Sequence, residues 1–254
     1  MSVTVNVQKG IAEVFLDHPP VNALDSAGWF RLAETITTLG KDDAVQVIIL
    51  AAKGRGFCAC VDIKELAADS SLIARVNQGC YDAFAAIYDC QVPVIAACHG
   101  FVLGGGIGLV GSCDLIVASE DASFGLPEID RGALGAATHL MRMFPIQKVR
   151  KMLYTGEPIS AAEAYRLGAI EALVPQDELL ARARGIAETI ASKSPKAMRL
   201  AKASVNGIEL LDPKQSYRFE QGFTFELYTS PDSQEARDAF VEKREASFRD
   251  KGKD

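Results

Sequence analysis

Only three histidines, His18, His99 and His139, stand in these 254 residues, and no G-x-S-x-G elbow is present, so a Ser-His-Asp hydrolase lacks its parts. Metal ligands are scarce as well. Cys58 and Cys60 form a C-x-C pair, but no second pair or nearby histidine completes a set of four, and no bound metal is expected. Positive charge is in deficit, with 27 Lys and Arg against 33 Asp and Glu, a net charge of −6. That excludes a broad basic surface for nucleic acid and leaves room for a local basic pocket around an anionic ligand. No apolar run approaches the roughly 20 residues that span a bilayer. The N-terminal MSVTVNVQKGIAEVFLDHPP alternates like a strand, without the basic start and apolar core of a signal peptide. A cytoplasmic protein with no membrane partner is the expectation.

What is present reads as a globular chain, 48% hydrophobic and 24% charged, long enough for one sizeable core or a main domain with a smaller one appended. Its six cysteines lie mostly in apolar surroundings and are expected to be free thiols in a reducing compartment. Val3 to Gln8 and Ala12 to Leu16 read as a strand pair joined by Lys9-Gly10. Val45 to Ala51, Val92 to Cys98 and Asp114 to Ser119 are apolar runs typical of strands covered on both faces. Helical stretches fall between them at Ser26 to Leu39, Ser71 to Tyr88 and Gly105 to Gly111, which predicts an α/β core. After Pro145 helical periodicity dominates: Ser160 to Leu167, Gln176 to Ser192, Pro195 to Leu210, Pro213 to Tyr228 and Ser233 to Phe248. Ser160-Ala-Ala-Glu163 is a capping box, and Gly168 stands where that helix should stop.

Two loops carry the chemistry. Gly104-Gly-Gly106 joins an apolar strand to an apolar helix, and Gly106-Ile-Gly108-Leu-Val-Gly111 matches the G-x-G-x-x-G spacing of a dinucleotide site. The acidic residues Glu120 and Asp121 follow the third glycine too soon for the ribose partner of that fingerprint. Gly54 to Glu65 makes a second strand-to-helix junction. Together the two loops can present a pair of backbone N–H groups to one carbonyl oxygen, the arrangement that stabilises an oxyanion or enolate.

At this point the chain resembles the crotonase, or enoyl-CoA hydratase/isomerase, superfamily. The resemblance rests on six blocks in order: Pro20-Val-Asn-Ala-Leu24, Gly56-Phe-Cys-Ala with Asp62-Ile-Lys-Glu65, Pro93-Val-Ile-Ala-Ala97, Gly104 to Gly106, Phe124-Gly-Leu-Pro-Glu128 and Ala239-Phe-Val-Glu-Lys-Arg244. It implies a crotonase-like right-handed spiral of ββα units over residues 1–195. A C-terminal helical region, 196–254, would serve trimerisation and closure of the CoA pocket. It further implies a homotrimer or homohexamer, and coenzyme A present as part of the thioester substrate rather than as a resident cofactor. Carried over by position, the N–H groups of Val61 and Gly105 would hold the thioester carbonyl. Ala23, Ala59, Val61, Asp62, Ile63 and Lys64 would line the CoA arm, and Lys243 would approach its nucleotide end. Lys64 also reads simply as a solvated lysine at a helix start.

Family hydratases use two glutamates, and here Gly108 replaces the first while Glu128 stands at the second. Glu128 is the expected general base or acid, or else a capping or salt-bridge carboxylate. The Asp130-Arg-Gly-Ala-Leu-Gly-Ala-Ala-Thr-His139 form and the Phe219-Glu-Gln-Gly-Phe-Thr-Phe-Glu226 run look like a bacterial steroid-degrading branch. Its members open a ring of a bicyclic diketone CoA ester by retro-Claisen C–C cleavage. Asp130, Arg131 and His139 are possible helpers there, against ion-pair and packing roles. Hydration or isomerisation of another acyl-CoA, and non-catalytic acyl-CoA binding, are the alternatives. Cys60 departs from the glycine usual beside the oxyanion donor, and a left-handed backbone there would cost about 1 to 3 kcal/mol.

Overall fold

The apolar runs become strands whose alternation decides which of two cores each side chain joins. The computed structural model describes residues 2–131, 134–209, 222 and 226–248. β1 (Ser2–Gln8) and β2 (Ile11–Asp17) form a hairpin turned by Lys9 and Gly10, both at positive φ, as a two-residue turn between twisted strands requires. β2, β3 (Val47–Ala52), β4 (Val94–Cys98), β6 (Leu115–Ser119) and β9 (Ala172–Val174) continue the sheet in parallel, in the order β1-β2-β3-β4-β6-β9. In β3, Ile48 and Leu50 point into the larger core, while Val47, Ile49 and Ala51 face α8 (Leu179–Ala191). That helix presents Leu179, Ala183, Ala187 and Ala191, and the three alanines let it lie close to the sheet. A strand buried on both faces must be apolar at every position, which is why these segments read as continuous runs.

A second, three-stranded sheet consists of β5 (Phe101–Leu103), β7 (Ser123–Gly125) and β8 (Ile159–Ser160). Two turns of the chain repeat one path, from a strand of the large sheet to one of the small sheet and then into helix. β4 and β5 lead to α4 (Gly105–Ser112), and β6 and β7 lead through a 3-10 turn, Pro127–Arg131, to α5 (Ala137–Met143). This is the expected spiral of ββα units within an α/β fold.

α1 (Ser26–Lys41) begins at Asp25, whose side chain accepts from Gly28 N–H at 2.7 Å, and packs along α3 (Ile73–Tyr88). α6 (Ile146–Thr155) was not anticipated. α7 (Ala161–Arg166) is capped by Ser160, and Gly168 takes φ +80° just beyond it, as the sequence predicts. α9 (Pro195–Ile208) opens the C-terminal region. Its Lys202, 3% exposed, donates to Ile87 O, Val92 O and Asp114 Oδ2, the last at 2.7 Å. α10 (Pro231–Glu242) stops short of the predicted Phe248, because Lys243 turns into left-handed backbone. The predicted helix from Pro213 to Tyr228 falls largely outside the described residues.

Candidate active site

Three chain segments meet at one point. The first follows β3 and is held on both sides. Ala59 N–H donates to Val21 O, Leu24 N–H to Cys60 O and Asp62 N–H to Leu24 O, while Leu103 N–H on β5 donates to Cys58 O. Asn22 supports this loop from beneath. Its φ of +52° is a conformation asparagine tolerates, and its buried amide donates to Lys53 O and Gly56 O. Asp62 then caps α2 (Ile63–Ala68) through Lys64 N–H, and Glu65 accepts from the Ser26 N–H and hydroxyl. Ala23, Ala59, Val61, Asp62, Ile63 and Lys64 are thereby brought together, with Lys64 and Ile63 facing solvent.

The second segment is the glycine turn. Gly104 has φ +54°, and a β-carbon there would stand 2.7 Å from Cys60 Cβ and collide with the Glu128 carboxylate. Glycine is thus required twice over, for backbone angle and for space. The third segment is the 3-10 turn after β7, which delivers half-buried Glu128. The Cys60 thiol donates to Glu128 Oε1 at 3.6 Å, across 68 residues of sequence.

Backbone hydrogen bonding from Gly105 and Val61 favours the charged form of the Cys60 thiol. Two amides on different loops therefore bear on one sulfur, which also contacts a carboxylate. Burial pushes the Cys60 thiol up from its ordinary value, and the Glu128 charge adds to that, against the pull of the two amides. Cys60 holds φ +87°, the left-handed backbone that the sequence flagged as strained for a residue with a β-carbon.

Along α4 two glycines one turn apart face two aromatic rings. A β-carbon at Gly105 would lie 2.8 Å from Trp29 Cη2, and one at Gly108 would fall into the ring of Phe84. Trp29 and Phe84 meet edge to face at 5.7 Å, and the Trp29 Nε1–H donates to Leu24 O. Phe84 and Trp29 escaped sequence reasoning. The available signal was the i, i+3 spacing of the glycines, which leaves room on one helix face for large neighbours.

Of the three possible helpers, His139 on α5 meets Phe84 edge-on at 4.7 Å, and burial lowers its pKa, with Arg142 adding to the effect. Asp130 is exposed and lies against Gly156 at the end of α6. The side chain of Arg131 is outside the described residues. Lys243 is exposed just past α10, and no hydrogen bond or ion pair among the described residues ties it to the two loops. All six cysteines are free, and among the described residues no group of three or more His, Cys, Asp or Glu is placed to hold a metal.

The sequence profile of the enoyl-CoA hydratase/isomerase family matches residues 6–251. A Rhodococcus jostii protein named (7aS)-7a-methyl-1,5-dioxo-2,3,5,6,7,7a-hexahydro-1H-indene-carboxyl-CoA hydrolase is 52% identical over 92% of this chain and 91% of its own. A Mycobacterium tuberculosis protein of the same name is 48% identical over 93% and 96%. Among solved structures, an enoyl-CoA hydratase of Bacillus anthracis superposes with a TM-score of 0.93 at 30% identity, covering 98% of this chain and 99% of that one. With converging amides on the two glycine-bearing loops and a match spanning nearly every residue, this chain belongs to the enoyl-CoA hydratase/isomerase family.

Proposed function

We propose that this chain is a CoA-ester hydrolase of steroid catabolism that opens a ring of a bicyclic diketone by retro-Claisen cleavage. The observation that carries the reading is the convergence of the Val61 and Gly105 amides beside a single carboxylate, Glu128. The roughly 50% identity to two hydrolases named for a dioxo-indene carboxyl-CoA supports the substrate class. The thioester oxygen replaces the Cys60 sulfur as acceptor of the two amides. Glu128 takes a proton from water as its oxygen adds to the ring ketone. The C–C bond then breaks, the former ketone becomes a carboxylic acid that releases its proton to solvent, and the electron pair passes to the carbon α to the thioester. The amides hold the resulting enolate oxygen, each such donor being worth roughly 3 to 4 kcal/mol of barrier. Protonation of that carbon by Glu128 closes the cycle and requires no resident cofactor. Ala23, Ala59, Asp62, Ile63 and Lys64 line the CoA arm in this reading, and Lys243 meets its nucleotide end.

The test is product mass spectrometry with the bicyclic diketone CoA ester and with crotonyl-CoA. Gain of one water with a new carboxylate is expected from the first, and Glu128→Gln should lower kcat roughly 100- to 10,000-fold while CoA-ester binding persists. Undiminished turnover by that variant, or hydration of crotonyl-CoA at ordinary hydratase rates, overturns the reading. We further place the chain in the cytoplasm as a homotrimer or a dimer of trimers, in keeping with its six free thiols and its family.

A further inference from the structure

The face of α4 that bears Gly105 and Gly108 carries an inference that rests on the thioester reading and deepens it. Gly105 and Gly108 lie on one helix face about 5 Å apart along the axis, so whatever stands beside position 108 stands one turn from an oxyanion donor. That place is taken by Phe84. A β-carbon at 108 would be 2.5 Å from both Phe84 Cε1 and Cε2, inside the distance at which non-bonded carbons meet. Two further rings limit its movement. Trp29 meets it edge to face at 5.7 Å and His139 at 4.7 Å, while Ala83 and Ile87 on either side along α3 are fully buried. The geometry points to Phe84 as a specificity-determining residue: its ring bars a second acid–base side chain from α4 and presents an apolar wall suited to a carbocyclic acyl group.

Two consequences are chemical. Hydration of an enoyl thioester puts the hydroxyl of water on the β-carbon and a proton on the α-carbon, and a carboxylate on α4 would be placed to steer that water; here it has no room. An acyl chain passing the wall meets ring carbons rather than a polar group, so a flat aliphatic ring keeps more of its surface out of water than a short linear chain does.

Three variants test this: Phe84→Ala, Gly108→Glu and the pair together, each checked for fold by circular dichroism. Crotonyl-CoA hydration should stay at the wild-type level in Gly108→Glu and rise about 10-fold or more in the double variant. A Gly108→Glu protein as active as the double variant overturns the proposal, and so does a folded double variant that gains nothing over either single one. Adding Glu128→Gln separates the two readings: hydration that survives it sinks the assigned role of Glu128 and leaves that of Phe84 standing. Should the double variant fail to fold, binding of cyclohexanecarbonyl-CoA and butanoyl-CoA decides. The wild type should prefer the ring, and Phe84→Ala should shrink that preference about 10-fold. No ring preference in the wild type, or one unchanged by Phe84→Ala, overturns the proposal.

Discussion

Cys60 is the residue at which local energetics and site geometry oppose each other. Its φ of +87° suits glycine, yet its thiol bridges from the two converging amides to Glu128 Oε1. Replacing it with glycine relieves backbone strain and loosens the unfolded chain, and the two effects leave a net gain of about 1 kcal/mol. Cys60→Gly should therefore raise Tm by roughly 2 to 4 °C in a thermal melt; a fall would show that the sulfur's contacts outweigh the strain. Because burial raises the thiol's pKa, Cys60 is neutral near pH 7 and a poor nucleophile. Its alkylation by iodoacetamide, followed by peptide mass spectrometry, should be slow at pH 7 and accelerate as pH rises past 9.

At the scale of elements, α5 sets a half-buried histidine against Phe84 and α9 sends a buried lysine into the core. His139 on α5 sits against Phe84 and is held below the ordinary imidazole value of 6.5, mainly by burial. The unfolded chain therefore takes up that proton first as pH falls, so the stability contributed by His139 is full above pH 6.5 and is lost below it. Urea unfolding at pH 7 and pH 5 should show this loss, and His139→Gln should flatten it. On α9, Lys202 neutralises Asp114 and satisfies two carbonyl groups, one in the last turn of α3 and one just before β4. Lys202→Met leaves Asp114 without that partner and should cost about 3 kcal/mol in urea unfolding. The glycine turn and the two flanking loops were legible as motifs because each is a continuous stretch of sequence. The small sheet was not: β5 and β7 have three residues each and β8 has two, too short for any periodicity to declare itself.

For the whole molecule, the large sheet divides two cores, and the reactive groups gather where the spiral carries loop after loop to the same side. Each ββα turn leaves a strand at its C-terminal end, so the loops after β3, β5 and β7 fall together. Assembly is the property at this scale that calls for a solution measurement. Sedimentation equilibrium should give three or six times the chain mass of 27.3 kDa, and a monomer would remove the homotrimer from the proposal.

The sequence by itself determined β3, β4 and β6, through apolar runs that only a doubly covered sheet can use, the β1–β2 hairpin, through its alternation, and the capped helix start at Ser160. It also determined the chemical inventory: one carboxylate at 128, glycine at 108 and amides on two loops. Only the tertiary structure decided that Phe84 fills the room beside Gly108 and that the Cys60 thiol reaches Glu128. Those pairings join segments remote in sequence, and which residues meet is set by how the spiral closes and how the rings pack, neither of which leaves a local pattern to read.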